Sequence, residues 1–153
     1  MKTLLRVFST IGNILGFLLP ILLGIFGGFN EKSFSRYYFT DAKLVFIVSL
    51  TIIAISFVTI NRKWIVPSIT LLLLTYFNCT DFALIHNLSA FIFFSHSIFL
   101  IYKDKRFKWI SYCIFASIPI LIFSIYYFEL ISVLLISIFH LFYMRLILKT
   151  KKL

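Results

Sequence analysis

Two stretches of the chain, Trp64–Tyr102 and Trp109–Leu148, are nearly unbroken runs of apolar side chains, and each is too long to cross a bilayer once. As single helices they would extend about 58 Å and about 60 Å at 1.5 Å per residue, against a hydrocarbon layer of about 30 Å. Each therefore has to fold back. The first breaks at Asn78-Cys79-Thr80-Asp81. The second breaks at Tyr126-Tyr127-Phe128-Glu129, because a glutamate is costly at mid-bilayer and tyrosines favour the interface. With the apolar runs near the N-terminus, the sequence predicts six spans in a single membrane domain: 11–29, 44–60, 64–77, 82–102, 109–128 and 130–148. The runs do not alternate apolar and polar residues, so they predict an all-α bundle rather than a barrel.

Composition agrees. Of the 153 residues, 61% are hydrophobic and 13% charged, whereas a soluble domain is nearer half apolar and a quarter charged. Mean hydropathy is +1.05. These values exclude a soluble globular enzyme, a secreted disulfide scaffold and a disordered tail. The net charge of +10 would suggest nucleic acid in a soluble protein. Here the cations sit in short clusters between apolar runs, which is an orientation signal instead, so no nucleic-acid partner is expected. With the N-terminus inside, 12 of the 15 Lys and Arg fall on the cytoplasmic side with one acid, Asp104. The outer side keeps Lys32, Arg36 and Lys43 against Glu31, Asp41, Asp81 and Glu129. An odd number of spans would break this segregation, so both termini are expected in the cytoplasm. Lys2 and Arg6 precede an apolar run, as in a signal peptide, but that run is too long and no small-residue cleavage site follows. Cys79 at the outer rim and Cys113 near the inner rim are too far apart in depth to pair.

Gly12, Gly16, Pro20, Gly24 and Gly28 recur every fourth residue along the first span. Small residues in a row let another backbone approach closely in lipid. The stripe is read as packing inside the bundle, with a homo-oligomer seam through the first helix or a hinge at Pro20 as alternatives. Polar residues gather towards the outer leaflet: Ser33, Ser35, Tyr37, Tyr38, Thr40 and Asp41 in the first loop, Asn78, Thr80 and Asp81 in the second, then His86, Asn87 and Glu129. Turns use such residues routinely, but His86 and Glu129 enter the apolar zone, where ionisable groups carry function or a structural hydrogen bond. His96 and His140 could share a mid-membrane depth and ligate a haem iron; hydrogen bonding between helices explains them as well. A zinc hydrolase would need about three ligands around one metal, and only His86, with Asp81 and Glu129, is available at the outer face. No Gly-x-Ser-x-Gly, His-Glu-x-x-His or phosphate-cradling loop occurs. No cofactor and no metal site is expected.

Ser33-Phe34-Ser35-Arg36-Tyr37-Tyr38-Phe39-Thr40, followed by Val45-Phe46, is similar to the S-x-S-x-Y-Y-x-T … V-F start of a group of bacterial six-span membrane proteins of uncharacterised function. Ile85-His86-Asn87-Leu88-Ser89-Ala90-Phe91-Ile92-Phe93-Phe94 resembles their I-H-x-x-S-A-x-x-F-F helix, and Glu129 matches an acid they carry at the last span. The layout resembles more distantly the DRAM-like and FGF-receptor-activating-protein families. After Thr40 the chain departs from the group, with Asp41-Ala42-Lys43 where an arginine–acid pair is common. The resemblance implies a six-span fold and favours Ser33, Ser35, Tyr37, Tyr38, Thr40, His86, Ser89 and Glu129 over His96 and His140. It brings no activity with it.

The expectation is a non-enzymatic protein of a bacterial inner membrane with an outward-facing polar pocket formed by Ser35, Arg36, Tyr37, Tyr38, Asp81, His86 and Glu129. Its partners would be membrane lipids, a small amphiphile or a partner peptide, with Arg36 available to a phosphate. The rival readings are an oligomeric pore, effector or immunity-type protein, motivated by Gly12, Gly16, Gly24 and Gly28, and an intramembrane hydrolase acting on lipids.

Overall fold

The computed structural model describes residues 2–28 and 32–150, with side chains for 7, 9–28 and 32–146. Phe29 at the expected end of the first span, the acid Glu31, and Lys151 and Lys152 lie outside the described residues. Among the described residues six α-helices follow one another: α1 Lys2–Gly27, α2 Lys43–Ile60, α3 Ile65–Tyr76, α4 Ala83–Lys103, α5 Lys108–Ser117 and α6 Ile125–Thr150. Short 3₁₀ turns occupy Phe34–Phe39, Arg62–Trp64 and Ile118–Ile122. No strand occurs among the described residues. Segments Ser9–Gly27, Lys43–Ile60, Ala83–Lys103 and Ile125–Leu146 are long and apolar enough to cross a membrane. The 12-residue α3 and the 10-residue α5 are shorter, about 18 Å and about 15 Å.

Each helix packs on the next in the chain, and α1 closes the ring against α6, while α4 and α6 barely meet. This arrangement matters for the site. The core runs from Leu19, Leu23 and Tyr37 past Phe46, Ile53 and Phe57 to Trp64, Ile101, Ile110 and Phe139. The opposite surfaces carry exposed large apolar side chains, such as Ile25, Leu84, Phe91, Ile122 and Phe123, as a lipid-facing bundle requires.

Two expected boundaries move. α1 begins at Lys2 rather than Ile11 and continues through Pro20 to Gly27. The break expected at Tyr126–Glu129 lies instead at Phe123-Ser124, between the 118–122 turn and α6. Pro119 is the cause: it has no N–H to offer the carbonyl of Phe115 and its ring crowds that carbonyl, so α5 ends at Ser117 and a 3₁₀ turn follows. The amides of Phe123 and Ser124 both close on Ile120 O, at 2.9 and 2.8 Å. Ser124 then starts α6, its carbonyl accepting from Phe128 N. Glu129 therefore lies in the second turn of α6 instead of preceding the helix.

The glycine stripe is engaged within the chain. Gly12, Gly16 and Gly24 are buried. A Cβ on Gly12 would collide with the Ser56 side chain of α2, and one on Gly16 would meet Ser137 Oγ of α6 at 2.6 Å. Gly28 has a different task. Its φ of +84° ends α1 in the left-handed region, and its N–H closes on Gly24 O at 3.0 Å. The faces α1 turns away from the bundle carry Ile14, Phe17, Ile21 and Ile25 instead. Leucine at position 12 or 16 should force α1 off α2 or α6 and cost ~1–3 kcal/mol or more, whereas Ile21→Leu on the outer face should be neutral. Thermal unfolding in detergent, followed by size-exclusion chromatography, measures the difference.

Candidate functional site

At the end of the bundle where α3 turns into α4, three helix ends lose their last hydrogen bonds, and side chains from elsewhere replace them. The turn itself is built by Asn78, whose Oδ1 accepts from the amides of Thr80 (3.1 Å) and Asp81 (2.7 Å), while its Nδ2 donates to Asp81 Oδ2 (2.8 Å). This is an Asx turn. The carbonyl of Phe77, just past α3, accepts from His86 Nδ1 at 2.8 Å. A carbonyl can only accept, so Nδ1 carries a proton, which leaves Nε2 as the nitrogen that faces away from this bond. The last carbonyl of α1 region, Gly28 O, accepts from Tyr37 Oη at 2.7 Å. The 3₁₀ turn that holds Tyr37 is pinned to α6 from its other end: Phe34 N donates to Glu129 Oε2 at 2.7 Å, and the Phe34 ring stands edge-on to Tyr126 at 5.2 Å.

His86 and Glu129 thereby reach one cavity of about 720 Å³, within the range of small-molecule sites. Its polar end is formed by Ser33, Ser35, Cys79, His86, Asn87 and Glu129. From there it runs along α4 between α5, the 118–122 turn and α6, past Ala90, Phe91, Phe94 and Ile98 on one side and Phe115, Ile118, Leu121, Ile125 and Phe128 on the other. His86 and Ile98 are 12 residues apart, about 18 Å along the helix. The cavity exists because α4 and α6 make little contact there. A smaller void beneath it, about 50 Å³, shares Ser35, His86 and Glu129 and is otherwise lined mainly by apolar side chains such as Phe46, Leu50, Phe93 and Val133.

Of the seven side chains expected to form a pocket, Ser35, His86 and Glu129 come together. The other four do not line it. Tyr37 is fully buried and holds the end of α1. Tyr38 stacks under the Lys43 ammonium, 4.2 Å from its ring. Asp81 is used in the Asn78 turn. Arg36 is exposed outside the cavity, so the expected phosphate contact through Arg36 has no place in it. The apolar wall was missed, although its signal is in the sequence: His86, Ala90, Phe94 and Ile98 recur every fourth residue and form one ridge of α4.

The remaining histidines part company. His140 is fully buried, stacked on Phe57 at 4.0 Å and against Trp64 at 4.1 Å, and neither ring nitrogen has a hydrogen-bond partner. The expected interhelical hydrogen bond is absent there; the ring packs as an aromatic. His96 is half-buried beside Phe99 of its own helix. Among the described residues no three His, Cys, Asp or Glu side chains converge on one point. Cys79 and Cys113 are free thiols. At the opposite end of the bundle a cavity of about 250 Å³ is lined by Asn61, Lys63, Trp64, Lys103, Asp104 and Lys105 among others. Beside it Arg106 pairs with Asp104 through two hydrogen bonds, 3.0 and 2.8 Å, which holds the Asp104 carboxyl below its ordinary range. Comparison of the chain with family models, curated proteins and solved structures gives no match.

The Phe34–Glu129 bond is the structural element most open to direct measurement. Glu129→Ala should release the 34–39 turn from α6, with a loss of ~1.5–3 kcal/mol for a hydrogen bond to a carboxylate. Hydrogen exchange should show Phe34 and its neighbours losing protection, with α2 protected as before.

Proposed function

We propose that this chain is a non-enzymatic inner-membrane protein that crosses the bilayer six times, keeps both termini in the cytoplasm and receives a single amphiphilic molecule in the cavity beside α4. The observation that carries this reading is the graded lining of that cavity. Polar and ionisable groups cluster at one end, and a channel of mainly hydrocarbon and aromatic side chains, interrupted by Ser95, leads away from them for about three turns of helix. A head group would rest by His86 and Glu129, and a chain would lie along Ala90, Phe94 and Ile98. Phe91, Ile118, Leu121 and Ile125 at the rim are exposed on the bundle's flank, so a molecule would enter sideways from the outer leaflet.

The arrangement of turns supports the orientation. The basic turns at 61–64 and 103–105 meet around one cavity at one end of the bundle, while Ser33, Cys79 and Glu129 meet at the other. α3 and α5, with their flanking turns, are then short crossings between longer neighbours; tilt, local bilayer thinning and packing against other helices accommodate such lengths. In a chain with Cys79 and Cys113 replaced by serine, a cysteine at Asp41 should react with a membrane-impermeant maleimide on intact cells. One at Lys105 should react only after lysis. Labelling of position 105 on intact cells rejects the six-pass topology.

Ligand binding is tested by filling the channel. Ala90→Trp should weaken binding of an environment-sensitive single-chain probe to the purified protein at least tenfold. Ala116→Trp, on the exposed side of α5, should leave it within twofold. Equal binding by both variants rejects the cavity as the site.

A further inference from the structure

Among the described residues, no cation pairs with Glu129, an acid in the apolar zone. None of the residues lining the cavity is Lys or Arg. Among the described residues, the ion pair that the structure forms is Arg106–Asp104, in the α4–α5 turn at the other end of the bundle. One Glu129 oxygen is satisfied by the Phe34 amide, and no described Lys, Arg or His pairs with the carboxylate. A carboxylate removed from water demands a counter-charge or a full set of donors. Resting on the reading of this cavity as an amphiphile site, we propose that the counter-charge arrives with the ligand: the cavity selects a single-chain amphiphile with a protonated amine as its head.

The neighbouring groups suit an ammonium, which has three donors and no acceptor. Glu129 offers a carboxylate oxygen. His86, with Nδ1 committed to Phe77 O, offers Nε2, which accepts when the ring is neutral. Ser33 and Ser35 bond to each other at 2.9 Å and keep lone pairs free to accept. An anionic head would meet Glu129 with like charge and find no guanidinium or ammonium in the lining, since Arg36 lies outside it. A neutral alcohol would satisfy one or two of these acceptors and leave the charge unanswered. The hydrocarbon channel is the same for all three, so the head alone decides among them.

The experiment uses the full chain purified in a non-ionic detergent and three competitors of equal chain length: hexadecylamine, hexadecanol and hexadecanoic acid. Each displaces a fluorescent single-chain probe near pH 7. The amine should compete at least tenfold better than the acid, with the alcohol between them. In Glu129→Gln the amine's advantage over the alcohol should collapse to within twofold while the alcohol keeps its wild-type affinity. The wild-type series stands by itself if that variant does not fold. Equal or better competition by the acid overturns the head-group assignment and leaves the cavity reading intact. Failure of all three to compete, with Ala90→Trp indistinguishable from wild type, overturns the cavity reading itself.

Discussion

Backbone polar groups have no water to turn to in an apolar medium, and each helix end of this bundle must find its partners within the protein. At the end where α3 turns into α4 that requirement is met by side chains reaching across the structure. His86 closes the end of α3, Tyr37 closes the end of α1, and Glu129 takes the first amide of the turn that carries Tyr37. These bonds do more than satisfy the backbone. They orient an imidazole, hold a carboxylate at the bundle's edge and bring both to one cavity. The site's polar groups are thus positioned by the same constraint that ends the helices.

The cavity's apolar part has a separate origin. Pro119 stops α5 early, and the chain crosses to α6 through a narrow 3₁₀ turn whose side chains Ile122 and Phe123 point away from the protein. A full-length fifth helix would have filled the space between α4 and α6. The shortened one leaves Phe94 of α4 touching Phe128 of α6 at 5.5 Å between ring centres and open volume around that contact. On the far side of the ring, where Gly12 and Gly16 let α1 settle onto Ser56 and Ser137, packing is close. Loose and tight sides of one bundle follow from a proline in one helix and small residues in another.

How much of this the sequence discloses depends on the kind of signal. Helical class and the fold-back of the two long apolar stretches follow from length alone, and the Asn78 turn lies where the polar residues interrupt the run. The second fold-back is displaced because Tyr126–Glu129 are the conspicuous polar residues, whereas the boundary is set by Pro119 and capped by a modest Ser124. Among the site residues, His86 and Glu129 stand out because ionisable groups are rare in apolar surroundings. Arg36 is simply exposed; Tyr38 and Asp81 are polar for local reasons, a cation over a ring and an Asx turn, and composition cannot tell those reasons from a binding role. His140 is the opposite case. It looks polar in the sequence, yet between Phe57 and Trp64 it serves as a flat ring, and only the packing reveals that.

Occupation of the cavity would also bear on stability. α4 and α6 make little contact of their own, and α4 is held mainly by α3 and α5. A molecule lying between Phe94, Ile98, Ile125 and Phe128 would supply the missing packing across that gap, and a head bonded to both His86 and Glu129 would tie α4 to α6 at the polar end of the cavity. A ligand that binds only the folded state adds RT ln(1 + [L]/Kd) to its stability, about 2.7 kcal/mol at a hundredfold excess over Kd. If the cavity is occupied as proposed, the open side of the ring is the part of the fold whose stability follows the ligand, and the closely packed α1–α2–α6 seam the part that does not.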